Sequence, residues 1–268
     1  MSALLQVQQV TKTFTFEERG LTVLDNLSLD IKKGEFVTVL GASGCGKSTL
    51  LRCVGGFERP DTGSILLEGK PVTEPGPAIT MVFQTFDQLF PWRTVRGNIT
   101  YPLRIKNPEK PKKQLDDIAD EYLRLVNLAD FAEYYPHQLS GGMKQRAAIA
   151  RGLALKAEVM LMDEPFASLD AQSRTALQTE LYDLWKKTGI TVMFVTHNIW
   201  EAIILGSRIL MLSAPPDNVL LDIQNPVTEF EGSIRTPSDK GFVECWAQLK
   251  DGLAQSGGYE LSNMPLFD

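Results

Sequence analysis

Residues 41 to 48 read GASGCGKS; the apolar run EFVTVL leads into them and TLLRCVGGF follows. This is the pattern G-x-x-x-x-G-K-[ST] in the setting that gives it meaning, with a buried strand before it and a helix after it. Gly41, Gly44 and Gly46 let backbone N–H groups turn toward an anion with no Cβ in the way, and the helix starting near Lys47 points its positive end at the same place. Lys47 can then reach the outer phosphates of a polyphosphate, and Ser48 can bind Mg²⁺. A merely flexible glycine-rich turn would need neither the lysine nor the serine.

A loop of this kind needs a sheet to hold it. Short continuous apolar runs recur along the chain, EFVTVLG, AITMVFQ, AEVMLMDEP, ITVMFVTH and RILMLSA. They have the pattern of strands buried on both faces of a mainly parallel sheet. In open parallel sheets ligands bind beyond the carboxyl ends of the strands, so the residues that end these runs are the candidates for chemistry. The first part of the chain alternates instead. LLQVQQVTKTF, LDNLSLDI and DTGSILLEGKPV read as half-buried strands with turn residues between them. Between Gln84 and Ala157 the strand signal fades, and TVRGNITYPLRI and KKQLDDIADEYLRLVNL show helical spacing that puts Leu115, Ile118, Tyr122 and Leu125 on one face.

The expected organisation is a single domain over residues 1–268, with a β-rich core at about 1–87 and 151–214 and a helical subdomain inserted at about 88–150. A C-terminal extension, about 215–268, contains one amphipathic helix within SDKGFVECWAQLKDGLAQ, and its tail SGGYELSNMPLFD reads as poorly ordered.

Composition removes other classes. Lys and Arg total 27 against 33 Asp and Glu, a net charge of -6, with no sustained basic stripe for a nucleic-acid backbone to meet. Cys45, Cys53 and Cys245 have no metal-ligand spacing and are odd in number, which suits reduced thiols. The N-terminus MSALLQVQQV lacks the basic start and apolar core of a leader, and no apolar run reaches the roughly 18 residues of a membrane span. The chain is expected neither to cross a membrane nor to leave the cytoplasm by itself.

Two further segments carry chemistry. VMLMDEP delivers adjacent carboxylates at the end of a buried strand, and because adjacent residues point apart, Asp163 and Glu164 are expected to do different things: Asp163 to hold Mg²⁺, Glu164 to polarise an attacking water. LSGGMKQR, residues 139 to 146, places a serine and two glycines before the helical pattern MKQRAAIARGLALK. Alone it is an N-cap with flexible neighbours, but it is also a second anion site at a helix N-terminus.

Together these segments carry a resemblance. GASGCGKS is similar to the Walker A, LSGGMKQR to the signature and VMLMDEP to the Walker B of the ATP-binding subunits of ABC transporters, over about residues 4 to 213. Phosphate-loop proteins in general lack the LSGGxxQ segment. The resemblance implies an α/β, P-loop NTPase fold of ABC type: a mainly parallel core sheet, an antiparallel β subdomain and an inserted helical subdomain. It implies ATP and Mg²⁺ as cofactors, and an ATPase reaction coupled to transport.

By the same resemblance, nucleotide contacts come from Phe14, Gly41, Ser43, Gly44, Cys45, Gly46, Lys47, Ser48 and Thr49. From a second copy of the chain they come from Ser140, Gly141, Gly142, Gln145 and Asp170. Phe14 is similar to the aromatic that stacks on adenine, a role for which Phe16 competes; both could equally be core. Gln84 resembles the Q-loop glutamine near Mg²⁺ and water, making Ser48, Gln84 and Asp163 the metal set. Ser168 to Asp170 resembles the D-loop, and read alone is as good a helix N-cap. His197 resembles the switch histidine at the γ-phosphate, whereas His137 reads as an ordinary loop residue. Asn198 departs from the aspartate that many relatives have after that histidine. Cys45 inside the loop is expected to make nucleotide binding sensitive to alkylation, with ATP protecting.

The resemblance also implies partners: a second, like subunit, a separate integral-membrane permease, and a solute-binding protein acting through that permease. The chain would then lie peripherally on the cytoplasmic face of the inner membrane. FDQLFPWRTVRGNITYPL resembles the corresponding segment of importers for nitrate, sulfonates and taurine, with Pro91, Trp92 and Arg93 facing the permease. The competing reading buries Trp92 in the helical core. A soluble ABC-type ATPase working on ribosomes or DNA is the alternative class, and the single cassette, the acidic balance and the absence of sustained heptads count against it.

Overall fold

The computed structural model describes residues 3–16, 19–84, 88–167, 169–215, 218–227 and 233–256. Ser168 and the tail beyond 256 lie outside the described residues, as does the side chain of Phe16.

The five apolar runs become β3 (Phe36–Gly41), β6 (Ile79–Val82), β7 (Val159–Asp163), β8 (Thr191–Thr196) and β9 (Arg208–Leu212). They pair in parallel, and β10 (Val219–Gln224) adds antiparallel to β9, giving a sheet of order β10-β9-β3-β8-β7-β6. Every residue of β3, β7 and β8 is buried. The runs show no polar alternation because both faces of the sheet are covered.

What covers them follows the two-residue period of a strand. Val37, Val39, Leu161, Met193, Val195 and Leu210 pack toward Leu50, Leu51 and Val54 of α1 (Lys47–Val54) and toward the second sheet. That sheet is antiparallel, order β2-β1-β4-β5, from β1 (Ala3–Phe16), β2 (Arg19–Lys32), β4 (Thr62–Leu67) and β5 (Lys70–Pro71). On the opposite face Phe36, Leu40, Met160, Met162 and Phe194 share a core with the helices. These are α2 (Val95–Lys106), α3 (Lys112–Leu125), α4 (Gly141–Ala154), α5 (Ala171–Thr188), α6 (Ile199–Leu205) and α7 (Phe242–Gln255).

The stripe on α3 is shifted from its expected line. Leu115, Ala119 and Leu123 are the buried residues, and Ile118, Tyr122 and Leu125 pack at their edge. Ala119 was small enough to pass unnoticed in the pattern, yet it lies where α3 approaches its neighbours.

Arg208 fastens the two sheets together. Its Nε and Nη2 donate to the two carboxylate oxygens of Asp222 on β10 at 2.6 Å each, and Nη1 donates to the Asp30 carbonyl of β2 at 2.6 Å. Glu35, 3.4 Å away, adds a second carboxylate. Fork-to-carboxylate pairing of this kind is stronger than neutral hydrogen bonding. Arg208→Ala should destabilise the fold by about 2 kcal/mol, lowering the urea midpoint while leaving the loop at residues 41–48 intact; an unchanged midpoint would remove Arg208 as the fastening.

Candidate functional site

Because β3, β8 and β7 are neighbours, their carboxyl ends arrive side by side. Leu40 pairs with Thr196 and Asp163 with Val195. The loop that leaves β3 therefore lies next to Asp163, Glu164 and His197.

The loop has the conformation its sequence calls for. Gly44 and Gly46 take φ of 82° and 97°, and a Cβ on Gly46 would meet the Val23 carbonyl oxygen at 2.8 Å. Side chains other than hydrogen are excluded there. Ser43 and Gly44 are exposed at the tip, and α1 begins at Lys47. Lys47 is buried along its length, and its Nζ donates to the carbonyls of Gly41 and Ala42 at 2.8 Å each. An ammonium has three donors, so one N–H remains for an anion.

One residue behind the lysine, Ser48 Oγ donates to Asp163 Oδ1 at 2.9 Å. Burial pushes the Asp163 carboxyl above its ordinary range, opposed by the Ser48 hydroxyl. A hydroxyl and a half-desolvated carboxylate suit a hard divalent cation whose remaining ligands are phosphate and water. Among the described residues no cluster of three or more His, Cys, Asp or Glu side chains forms a protein cage for a metal. This donor set therefore fits Mg²⁺ held jointly with a polyphosphate.

Glu164 turns the other way, as adjacent strand-end residues must. Its Oε2 lies 3.0 Å from His197 Nδ1, and its backbone N–H donates to the Val195 carbonyl at 3.0 Å. The two side chains shift each other: the bond to His197 holds the Glu164 carboxyl below its usual range, and the bond to Glu164 raises the imidazole. Glu164 sits at φ 42°, an uncommon left-handed conformation for a residue with a side chain. Asn198, the departure noted in the sequence, caps α6 by accepting from the Glu201 N–H at 3.3 Å. Asparagine caps as aspartate does, so the change leaves the turn after His197 formed.

The remaining candidates are placed more loosely. Gln84 is exposed two residues beyond the end of β6, and Thr49 is half-buried in the first turn of α1. Phe14 is half-buried on β1 with the Lys12 ammonium 5.3 Å from its ring centroid. Ser140 caps α4, accepting from the Met143 N–H at 3.4 Å, and is exposed, with Gly141 and Gly142 half-buried behind it. Asp170 caps α5 through the Ser173 N–H at 3.0 Å.

Two expectations need correction. Gln145 is fully buried, with its amide oxygen accepting from Gln88 Nε2 at 3.3 Å. It braces α4 against the segment after β6 and cannot reach a nucleotide without unpacking. Cys45 does not line the mouth of the loop. Its thiol turns inward, so close beneath Gly41 that a Cβ on that glycine would lie 2.6 Å from the sulfur, and burial raises its pKa. Any contact from this residue to phosphate is by backbone.

Several working residues were not singled out from sequence. Asn98 is fully buried; its Oδ1 accepts from the Phe90 N–H at 2.7 Å, and its Nδ2 donates to the carbonyls of Phe90, Arg93 and Thr94 at 3.1, 3.2 and 3.0 Å. It pins the segment that carries Trp92. Trp92 is 70% exposed, so the core reading of it fails. It stacks obliquely on Phe90 (5.6 Å), while the Arg93 guanidinium lies 4.0 Å from the Tyr101 ring centroid. Glu201, the lone carboxylate in the apolar helix IWEAIIL, was legible as an anomaly.

A glycine-shaped anion cradle, a hydroxyl–carboxylate pair and a carboxylate–imidazole pair at neighbouring strand ends define a phosphate-loop nucleotidase. Residues 24–167 match the family model described as ABC transporter. The chain is 46% identical to an ABC transporter ATP-binding protein of Methanocaldococcus jannaschii, over 84% of this chain and 85% of that one. It is 39% identical to a nitrate import ATP-binding protein of Synechocystis sp., over 89% of this chain and 87% of that one. Among solved structures, the dimeric ATP-binding cassette MJ0796, in a post-hydrolysis state bound to ADP and Pi, superposes with a TM-score of 0.73 at 33% identity, covering 84% of this chain and 100% of that one. The chain belongs to the ABC transporter family and is an ABC-type ATPase with the α/β fold of that class.

The burial of Cys45, Cys53 and Cys245 has a direct consequence. Burial pushes the thiols of Cys53 and Cys245 up to about 11, so with Cys45 they are little ionised at pH 8, and the thiolate is the reactive form. Iodoacetamide at pH 8 should leave all three unlabelled in the folded chain, with or without ATP, and label them after denaturation, as read by mass spectrometry. Rapid labelling of Cys45 that ATP suppresses would restore the exposed-thiol expectation.

Proposed function

We propose that this chain is the ATP-hydrolysing subunit of an ABC importer for a small anion or organic solute of the nitrate, sulfonate or taurine type. The observation that carries the hydrolytic part is the meeting, at adjacent strand ends, of Ser48 with Asp163 and of Glu164 with His197.

In this reading Lys47 and the N–H groups of the loop hold the β- and γ-phosphates, and Phe14 stacks on adenine. Ser48 and Asp163, with Gln84, hold Mg²⁺, which when bound would neutralise charge on the outer phosphate oxygens. Glu164 accepts the proton of the attacking water. A carboxylate held low by an imidazole is a weak base, so His197 must leave Glu164 for the γ-phosphate before proton transfer, and the switch histidine would thereby release the base.

The site is incomplete in one chain. Ser140 is exposed at the N-terminus of α4, as a group that covers a partner's γ-phosphate would be, and Asp170 stands exposed at the start of α5. Two copies, or this chain and a like subunit, would close head to tail over ATP and reopen after hydrolysis. That motion would drive the permease, with a solute-binding protein delivering the substrate to it.

Permease docking is assigned to residues 88–150, taken as a helical subdomain. There Trp92, Tyr101 and Ile105 are exposed apolar side chains (70%, 37% and 66%) held on a segment that Asn98 fixes from within. Among the described residues no helix is long and apolar enough to cross a membrane, which leaves the membrane path to a partner. The substrate class leans on the nitrate import relative and on the Pro91-Trp92-Arg93 segment. The subunit would sit peripherally on the cytoplasmic face of the membrane.

Glu164→Gln should reduce ATP turnover by at least about a hundredfold with ATP binding retained, and Lys47→Ala should instead lose ATP affinity. Wild-type turnover in the first, or unchanged binding in the second, would sink those assignments. Trp92→Ala should keep the ATPase activity of the isolated chain yet fail to co-purify a multi-span permease from solubilised membranes; undiminished recovery would move the docking site elsewhere.

A further inference from the structure

Glu201 is 6% exposed in a helix whose other residues, Trp200 apart, are buried and apolar. Burying a carboxylate is costly, and an apolar residue of similar volume is often as good or better for stability alone. The groups around it explain its presence. Thr196 Oγ1 donates to Glu201 Oε2 at 2.6 Å, and the same hydroxyl oxygen accepts from the Asn198 N–H at 3.0 Å. Asn198 Oδ1 in turn accepts from the Glu201 N–H. Thr196, Asn198 and Glu201 thus form a closed ring of hydrogen bonds, and His197 lies in the chain between two of its members.

The ring reaches the other strand end as well. Gln178 Nε2 of α5 donates to Glu201 Oε1 at 3.2 Å. Arg174, one turn earlier on α5, places its positive charge near the Glu201 carboxylate, and its Nη2 donates to the Leu169 carbonyl at 2.9 Å. Leu169 lies on the segment that follows Glu164. The loop that carries His197 is thus hydrogen-bonded to this buried carboxylate, and the segment after Glu164 is held by Arg174, whose charge the carboxylate faces without a direct bond.

We propose that Glu201 is a positioning residue for ATP hydrolysis: it fixes the backbone on both sides of His197 and, through Arg174, the segment after Glu164, and so sets the contact between imidazole and base. The inference rests on the assignment of Glu164 and His197 to hydrolysis. Glu201 is buried away from the strand-end surface and acts only through His197 and the segment beyond Glu164. Glutamine is its isostere, and by turning the Gln178 amide over the pair stays hydrogen-bonded, while the charge that holds Arg174 and Thr196 is lost.

The test uses the full chain. Glu201→Gln should lower kcat for ATP by about tenfold or more with KM within about twofold and an unchanged thermal midpoint. The chain has two histidines, so the imidazole nitrogen resonances of His197 are assigned against His137, and only those of His197 should move in the variant. A purely structural role would shift the thermal midpoint and leave the His197 resonances in place. Should Glu201→Gln fold poorly, Thr196→Val removes the hydroxyl alone and should show the same pair of changes. Wild-type kcat, or a lower kcat with His197 resonances unmoved, would overturn the proposal. His197→Ala separates the two levels: wild-type turnover in it would bring down the hydrolytic assignment itself, whereas an inactive His197→Ala beside a fully active Glu201→Gln would bring down only the positioning role.

Discussion

Parallel pairing of β8 with β3 on one side and β7 on the other sets Leu40 beside Thr196 and Val195 beside Asp163. Everything chemical in the chain hangs on that register. A parallel strand delivers its successor residues to the same edge as its neighbours do, so the phosphate loop, the two carboxylates and the histidine are brought together by backbone hydrogen bonds rather than by side-chain recognition. The strands can hold this register because both of their faces are covered, by α1 and the antiparallel sheet on one side and by the remaining helices on the other. A slip of one residue would exchange the two cores and take Asp163 away from Ser48.

The same edge is where the fold accepts local cost. Glu164 takes a left-handed conformation, Gly46 takes one that no larger residue could share, and Asp163 and Glu201 are carboxylates with little water. Each of the three carboxylates has a hydrogen-bond partner: Ser48 for Asp163, His197 for Glu164, Thr196 and Gln178 for Glu201. Strain and buried charge at one edge, with regular apolar packing elsewhere, is the distribution expected when the core supports a site that is not itself optimised for stability.

Much of this was legible in the sequence, for reasons that differ by element. Strands buried on both faces leave continuous apolar runs, and the residues that interrupt them at the carboxyl end, Gly41, Asp163, Glu164 and His197, were found for that reason. Partners that act from inside were not found. Asn98, Gln88 and Gln178 sit on helices or loops among other polar residues, and nothing in a linear pattern says which amide turns inward. Glu201 did leave a trace, as a lone charge in an apolar helix. Cys45 misled because its position in the loop says nothing of direction; only the close packing beneath Gly41 shows the thiol pointing to the core. Gln145 misled in the same way: it stands three residues past Gly142, and its place in the motif does not say that its amide turns inward to Gln88.

In the proposed function the phosphate loop is half of a site, completed by Ser140 and Gly142 of another copy. Sedimentation velocity of Glu164→Gln chains with and without Mg-ATP tests it most directly. A monomer should become a dimer only with Mg-ATP, and should fail to do so when Gly142→Asp is added. A species that stays monomeric at saturating Mg-ATP, or a dimer indifferent to Gly142→Asp, would contradict it.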